Sequence, residues 1–252
     1  MRIITKIFSV ILLVTLLTCT VSAADKINWY FKKTLDHSQP KLDSYLAEAG
    51  KHKNLIWIDK ENDRFDSDTK KIYITFDAGY ENGNIEKILD ILKEENVKAT
   101  FFILENLILS NRDLVERMIN EGHIVGNHSD THPNFSKIDR TQMVKEIENL
   151  DNYLRQHFGY SSPFFRFPEG ACSENALELV QSIGYTSVFW SSAYADWDIN
   201  NPKGKQYAFE TVTARLHPGC ILLLHAVSKD NAEALGDIID YAKEQGYEFK
   251  AL

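Results

Sequence analysis

Cysteine is scarce in this chain of 252 residues: it occurs three times, as Cys19, Cys172 and Cys220. Cys19 falls in an N-terminal stretch described below, and two remaining thiols cannot staple a small scaffold. They are read as free, at opposite ends of the fold. Positive charge is also short, with 28 Lys and Arg against 36 Asp and Glu and a formal net charge of −8. That argues against a nucleic-acid binder, which needs a basic face. No Gly-x-Gly-x-x-Gly follows any strand-like segment, so a dinucleotide-binding fold has no support. Internal repeats and low-complexity tracts are lacking as well.

What is present is apolar bulk. Hydrophobic residues make up 44% of the chain and aromatics 12%, enough for one sizeable domain with a full core. At the start, Arg2 and Lys6 flank and precede an apolar run from Ile7 to Leu17, and Val21-Ser22-Ala23 ends in small residues. This is the pattern of a secretory leader, so residues 1–23 are expected to be cleaved on export. Two other readings stand. One is an uncleaved membrane anchor, for which the run is short. The other is lipidation at Cys19, for which Thr18 is a poor neighbour. Residues 24–70 mix aromatics, charges and a proline. They are expected to form an N-terminal extension packing on the main domain through Trp29, Tyr30, Phe31 and Trp57.

From residue 71 onward strand and helix signals alternate. "KIYITFD", "KATFFIL", "HIVGN", "PFFRF", "TSVFWSS", "CILLLH" and "EFKAL" read as strands. Between them lie helical patterns, the first with Ile85, Ile88, Leu89 and Leu92 on one stripe. Asp139 stands as a cap with Gln142 three residues on, and Asp230 likewise with Glu233. Such alternation implies parallel strands joined by helical crossovers. The expected fold is α/β: a distorted (β/α) barrel of about seven parallel strands over residues 71–252. An open doubly wound sheet is the alternative.

In both architectures functional groups gather at the carboxyl ends of the strands. There this sequence places Asp77, Asn127-His128, Arg166 with Pro168-Glu169-Gly170, Asp196-Trp197 and His225. If the strands are parallel, all face one cleft. His128 and His132 are four residues apart, so their imidazoles can meet one cation if the segment turns helically. Asn127 and Asp130 are placed to orient the rings. Blander readings stand beside these. Asp77 also reads as a turn cap, His225 as a core histidine, Arg166 as a structural ion-pair partner and Asp196-Trp197 as a packing pair. Tyr80, Trp190 and Trp197 read equally as sugar-stacking rings or as core.

Taken in order, "TFDAGYENG", "GNHSDTH", "FRFPEG", "DW" and "LLLH" resemble the motifs of the polysaccharide deacetylases, carbohydrate esterase family 4 with the NodB-homology domain. The likeness covers residues 70–252. With "NW", "SVFWSSAYADWD" and "HPGCILLLHAVSKDNAEAL" it extends to about residue 27 and leans toward the muramic-δ-lactam-forming branch. The resemblance implies a role for each position. Asp77 corresponds to the general base, Arg166 to the arginine that contacts it, and His225 to the general acid, with Asp196 as its partner. His128 and His132 correspond to metal ligands, the Glu169 N–H to an oxyanion donor and Trp197 to a groove wall. The implied cofactor is a divalent metal, zinc by preference. One departure weakens it: Ala78 stands where the family has a ligating Asp and cannot ligate at all. Glu169 departs too, standing where the family more often has an aromatic residue or arginine.

The implied activity is that of an exported, metal-assisted peptidoglycan N-acetylmuramic acid deacetylase. It would act on glycan strands as a step toward muramic δ-lactam in spore cortex. The chain is expected to be a monomer with no stable protein partner. Two alternatives remain: a deacetylase of N-acetylglucosamine polymers, and a carbohydrate-binding homologue that lost its metal with Ala78.

Overall fold

The computed structural model describes residues 26–60 and 70–252. In chain order the elements are β1 (Lys26–Asn28), α1 (Ser44–Ala47), β2 (Leu55–Ile56), β3 (Lys70–Ala78), α2 (Ile85–Glu94), β4 (Thr100–Ile103), α3 (Glu105–Ser110) and α4 (Arg112–Asn120). They continue with β5 (Ile124–Asn127), α5 (Arg140–Phe158), β6 (Phe164–Phe165), β7 (Ala171–Ser173), α6 (Glu174–Ser182), β8 (Thr186–Val188), α7 (Lys205–Thr213), β9 (Cys220–His225), α8 (Lys229–Glu244) and β10 (Tyr247–Phe249).

The main sheet runs β10-β3-β4-β5-β6-β8-β2, with β9 also paired to β3. Every ladder in it is parallel. Beyond β8 the chain bridges to β9 at Ser192 and Leu222, and the Leu223 N–H donates to the Ser192 carbonyl. The sheet therefore curls round from β3 through β4, β5, β6 and β8 to β9, and β9 returns to β3. All seven expected strands are present, in a barrel-like sheet. An eighth, β2, comes from the extension, where two residues carry too little periodicity to announce a strand. The same shortness hid α3, and β1 with β7, which form an antiparallel ribbon outside the barrel. The expected leader lies outside the described residues. Among those described, no helix is long and apolar enough to cross a membrane.

Alternation along β3 decides what faces where. Ile72, Ile74, Phe76 and Ala78 join the apolar layer under the helices, with the α2 stripe of Ile85, Ile88, Leu89 and Leu92. Thr75 and Asp77 take the other face and point into the barrel. A second cluster joins Trp29 and Trp57 of the extension to Phe165, Phe167 and Phe189. Both Cys172 and Cys220 are buried and free.

Helix caps follow the expectation once and depart once. Asp139 caps α5, its carboxylate accepting the Gln142 N–H at 2.9 Å. At α8 the cap is Ser228, whose hydroxyl accepts the Asn231 N–H at 3.3 Å. Asp230 lies inside the first turn instead, and its carboxylate accepts the Lys203 and Gly204 N–H groups at 2.6 and 2.9 Å. A loop remote in sequence competed for that carboxylate, which local spacing cannot show. Replacing Asp139 by Ala is expected to cost about 1 kcal/mol. Urea unfolding should show it as a lower midpoint at unchanged slope.

Candidate active site

The cleft at the carboxyl ends of the strands measures about 820 Å³, and Asp77, Tyr80, His128, His132, Glu169, Trp197 and His225 all line it. Parallel topology brings them there. Asp77 on β3 and His225 on β9 are register partners, so their Cα atoms sit about 4.8 Å apart with side chains on one face.

One half of the site is built on Arg166, which is fully buried. Its Nη1 donates to Asp77 Oδ1 at 2.8 Å, Nη2 to Thr75 Oγ1 at 2.8 Å and Nε to the Val188 carbonyl at 3.2 Å. The guanidinium lies 4.0 Å from the centre of the Phe102 ring. Burial by itself raises the Asp77 carboxyl, but electrostatic attraction to the groups that face it, the His128 imidazole when that ring is protonated in acid and the Arg166 guanidinium and His225, outweighs it and holds the group below the usual carboxylate range. Asp77 is therefore an anion at neutral pH.

The other half is built on Asp196. His225 donates twice to it, from Nδ1 to Oδ1 at 2.6 Å and from the backbone N–H to Oδ2 at 2.8 Å. Burial alone would lower the imidazole, yet the charge of Asp196 and its hydrogen bond, with help from Asp77, raise it above its ordinary value. Nδ1 is committed to Asp196, so Nε2 is the nitrogen left to serve the cleft. Trp197 is 59% exposed, and its ring centre lies 5.7 Å from that of His225.

His128 and His132 come together without a helix. Ser129 and His132 both take left-handed backbone, with φ of 75° and 62°. Side chains hold that shape: Asn127 accepts the Ser129 N–H at 2.8 Å, Ser129 Oγ the His132 N–H at 3.0 Å and Glu146 the Thr131 N–H at 2.8 Å. The rings meet edge to face, 4.9 Å between centres. Asn127 and Asp130, expected to orient the rings, pin the loop instead: Asn127 takes its backbone, and Asp130 accepts from Asn149 at 2.7 Å. The His128 ring is oriented by the Arg166 carbonyl, 2.9 Å from Nδ1. A carbonyl only accepts, so Nδ1 carries the proton. Nε2 then turns a lone pair toward Asp77 Oδ2 at 3.3 Å. Burial pushes the His128 imidazole down to about 4, so it is neutral.

Two acceptors facing at that distance call for positive charge beside them, which suits a divalent cation held by imidazole nitrogens. The set is nonetheless open. Ala78 is fully buried in the layer beneath the helices, and among the described residues no three His, Cys, Asp or Glu side chains form a closed cage. The residues fit an ion held by two protein nitrogens, its other positions left to water or substrate.

Sequence reasoning missed Asn231 and Tyr194. Asn231 Nδ2 donates to Asp196 Oδ2 at 2.5 Å, and its Oδ1 accepts from the Tyr194 hydroxyl. Only a fold that lays α8 beside the residue 194–196 loop reveals this relay. Glu169 was foreseen, but not its setting: it has φ of 59° and its carboxylate accepts from Asn134 at 2.5 Å.

An ionised carboxylate and an imidazole raised above its ordinary value share one cleft of a parallel α/β barrel, an arrangement suited to hydrolysis with a base and an acid at once. Comparison with known proteins gives the family. The sequence profile of the polysaccharide deacetylases matches residues 65–188. Peptidoglycan-N-acetylmuramic acid deacetylase PdaA of Bacillus subtilis is 42% identical over 231 residues, which are 90% of this chain and 85% of that one. A peptidoglycan-N-acetylglucosamine deacetylase of Bacillus cereus is 32% identical over 215 residues, 81% of this chain and 76% of that one. The solved structure of B. subtilis PdaA, a family 4 carbohydrate esterase, superposes with a TM-score of 0.84 at 39% identity, over 91% of this chain and 96% of that one. This chain belongs to the polysaccharide deacetylase family, whose members are metal-assisted hydrolases.

Two outcomes test the electrostatics. His225 is raised in the folded state, so its contribution to stability is complete below its unfolded pKa and is lost as pH rises through the folded one. Asp196→Asn removes the cause. The stability gap between wild type and variant, from urea unfolding, is expected to be wider at about pH 5.5 than at about pH 9. Ala78→Asp buries a carboxylate in an apolar layer and should cost on the order of 3 kcal/mol without metal. Zinc should then raise the melting temperature of the variant by more than that of wild type. Equal shifts would show that position 78 does not reach the ion.

Proposed function

We propose that this protein removes the acetyl group from N-acetylmuramic acid residues of peptidoglycan glycan strands, outside the cytoplasmic membrane. The observation that carries the reading is the register of Asp77 with His225, each with its own buried counter-charge, in a cleft of about 820 Å³. Likeness to PdaA over nine-tenths of the chain supports the choice of sugar.

An acetamide is a poor electrophile, and its amine leaves only when protonated. Asp77, kept ionised by Arg166, takes the proton of the attacking water. The Glu169 N–H stabilises the oxyanion as charge develops there. His225, charged by Asp196, gives its Nε2 proton to the departing nitrogen. His128 and His132 would hold a divalent cation, which would supply polarisation of the carbonyl and a lowered pKa of water. Tyr80, 61% exposed, and Trp197 offer ring faces to the sugars flanking the reacting one. Acetate departs, and the freed amine lies beside the lactyl carboxyl with which δ-lactam closure occurs. The protein acts as a monomer after export, in the cell wall or spore envelope.

The B. cereus relative favours a second reading, with N-acetylglucosamine as the substrate. Mass spectra of digested cell wall separate the two, because the lost acetyl is then found on one sugar or the other. Acetate release from peptide-free glycan is expected to fall at least about a hundredfold in Asp77→Asn and in His225→Ala. Unchanged rates in both would remove these roles. A wild type that binds glycan but releases no acetate, with or without zinc, would leave only a carbohydrate-binding homologue.

A further inference from the structure

One wall of the cleft is not self-supporting. Its turn, Pro168–Gly170, carries two consecutive residues in left-handed backbone, Glu169 at φ 59° and Gly170 at φ 62°. A non-glycine residue in that region stores strain of about 1–3 kcal/mol, so surrounding structure must hold it. Asn134 and the Trp190 ring hold part of it, and the N-terminal extension supplies the backbone contacts. β1 pairs with β7, the three residues that follow the turn. The next residue, Trp29, donates its backbone N–H to the Gly170 carbonyl at 2.8 Å. Its indole Nε1 donates to the Trp190 carbonyl at 3.0 Å. Gly170 and Trp190 both line the cleft, and the Trp190 ring lies 5.7 Å from the Arg166 guanidinium.

Space at this point is fully taken. A Cβ on Gly170 would come within 2.7 Å of Trp190 Cη2 and 3.1 Å of Trp29 Cβ. The Trp29 indole is 5% exposed and stacks on Phe189 with 4.3 Å between ring centres. Trp57 packs against the same indole, 5.7 Å away and edge-on, without either hydrogen bond to the wall.

We propose that Trp29 is a positioning residue for the deacetylation reaction: it staples the Glu169–Gly170 turn to Trp190, and so fixes both the oxyanion N–H and the ring behind Arg166. The proposal rests on the role given to the Glu169 N–H above. The extension is thereby part of the catalytic apparatus, although Trp29 touches no reacting atom.

The test compares Trp29→Phe with Trp57→Phe in the full chain. Each removes one indole from the same cluster and keeps a ring, and Trp29→Phe should lower the melting temperature more, because it also leaves the Trp190 carbonyl without its donor. Only Trp29→Phe loses the bond to Trp190. Amide hydrogen exchange over residues 167–173 is expected to quicken about tenfold in Trp29→Phe and to stay at the wild-type rate in Trp57→Phe. On peptide-free glycan, kcat of Trp29→Phe should fall about tenfold with KM within about twofold. Unchanged exchange in Trp29→Phe overturns the staple. Quickened exchange at an unchanged kcat overturns its service to catalysis, as does an equal loss of kcat in Trp57→Phe. Absence of acetate release in wild type counts against the deacetylase reading itself, while the exchange data still decide the geometry.

Discussion

A single buried guanidinium organises this molecule's chemistry. Arg166 sits where four strands converge. Its side chain reaches Thr75 and Asp77 on β3 and the Val188 carbonyl on β8, its carbonyl orients His128 after β5, and its own N–H donates to the Asn127 carbonyl. A charge this deep is costly unless its donors are satisfied and its charge is matched. Here three nitrogens have partners, a carboxylate faces it and an aromatic ring lies against it. The same contacts that settle the arginine ionise Asp77 and choose the His128 tautomer.

The two halves of the site use opposite electrostatic logic. Asp77 meets cationic groups and is pulled down, while His225 meets Asp196 and is pushed up. An ionised carboxylate and an imidazole raised above its ordinary value thus stand on neighbouring strands. Parallel pairing alone would put any two residues side by side. The difference in their partners holds the carboxyl down and the imidazole up. Ala78 fits this division, since pleating turns it away from the cleft and into the layer beneath the helices.

Much of the fold was legible because it is periodic. Strand "KIYITFD" and the stripe Ile85, Ile88, Leu89, Leu92 lie where alternation and helical spacing put them. Elements of two or three residues, such as β2 and β7, have no period to read. The residues at the strand ends were legible for a different reason: parallel topology sends every carboxyl end to one side. Asn231 and Tyr194 were not, because they enter only through the packing of α8 on a distant loop. Asp230 misled as a cap for the same reason.

By itself the sequence determined the alternation of strands and helices, and with it the set of side chains delivered to one rim. It also determined that the side chain at position 78 has no donor atom, a fact no folding can alter. Tertiary structure decided the rest. The protonation of Asp77, His128 and His225 depends on burial and on charges contributed from other strands, which sequence separation hides. The meeting of His128 with His132 depends on left-handed backbone at Ser129 and His132, held by Asn127, Ser129 and Glu146 rather than by helical spacing. The extension's Trp29 joined the cleft wall only because the chain's far segments were folded against it.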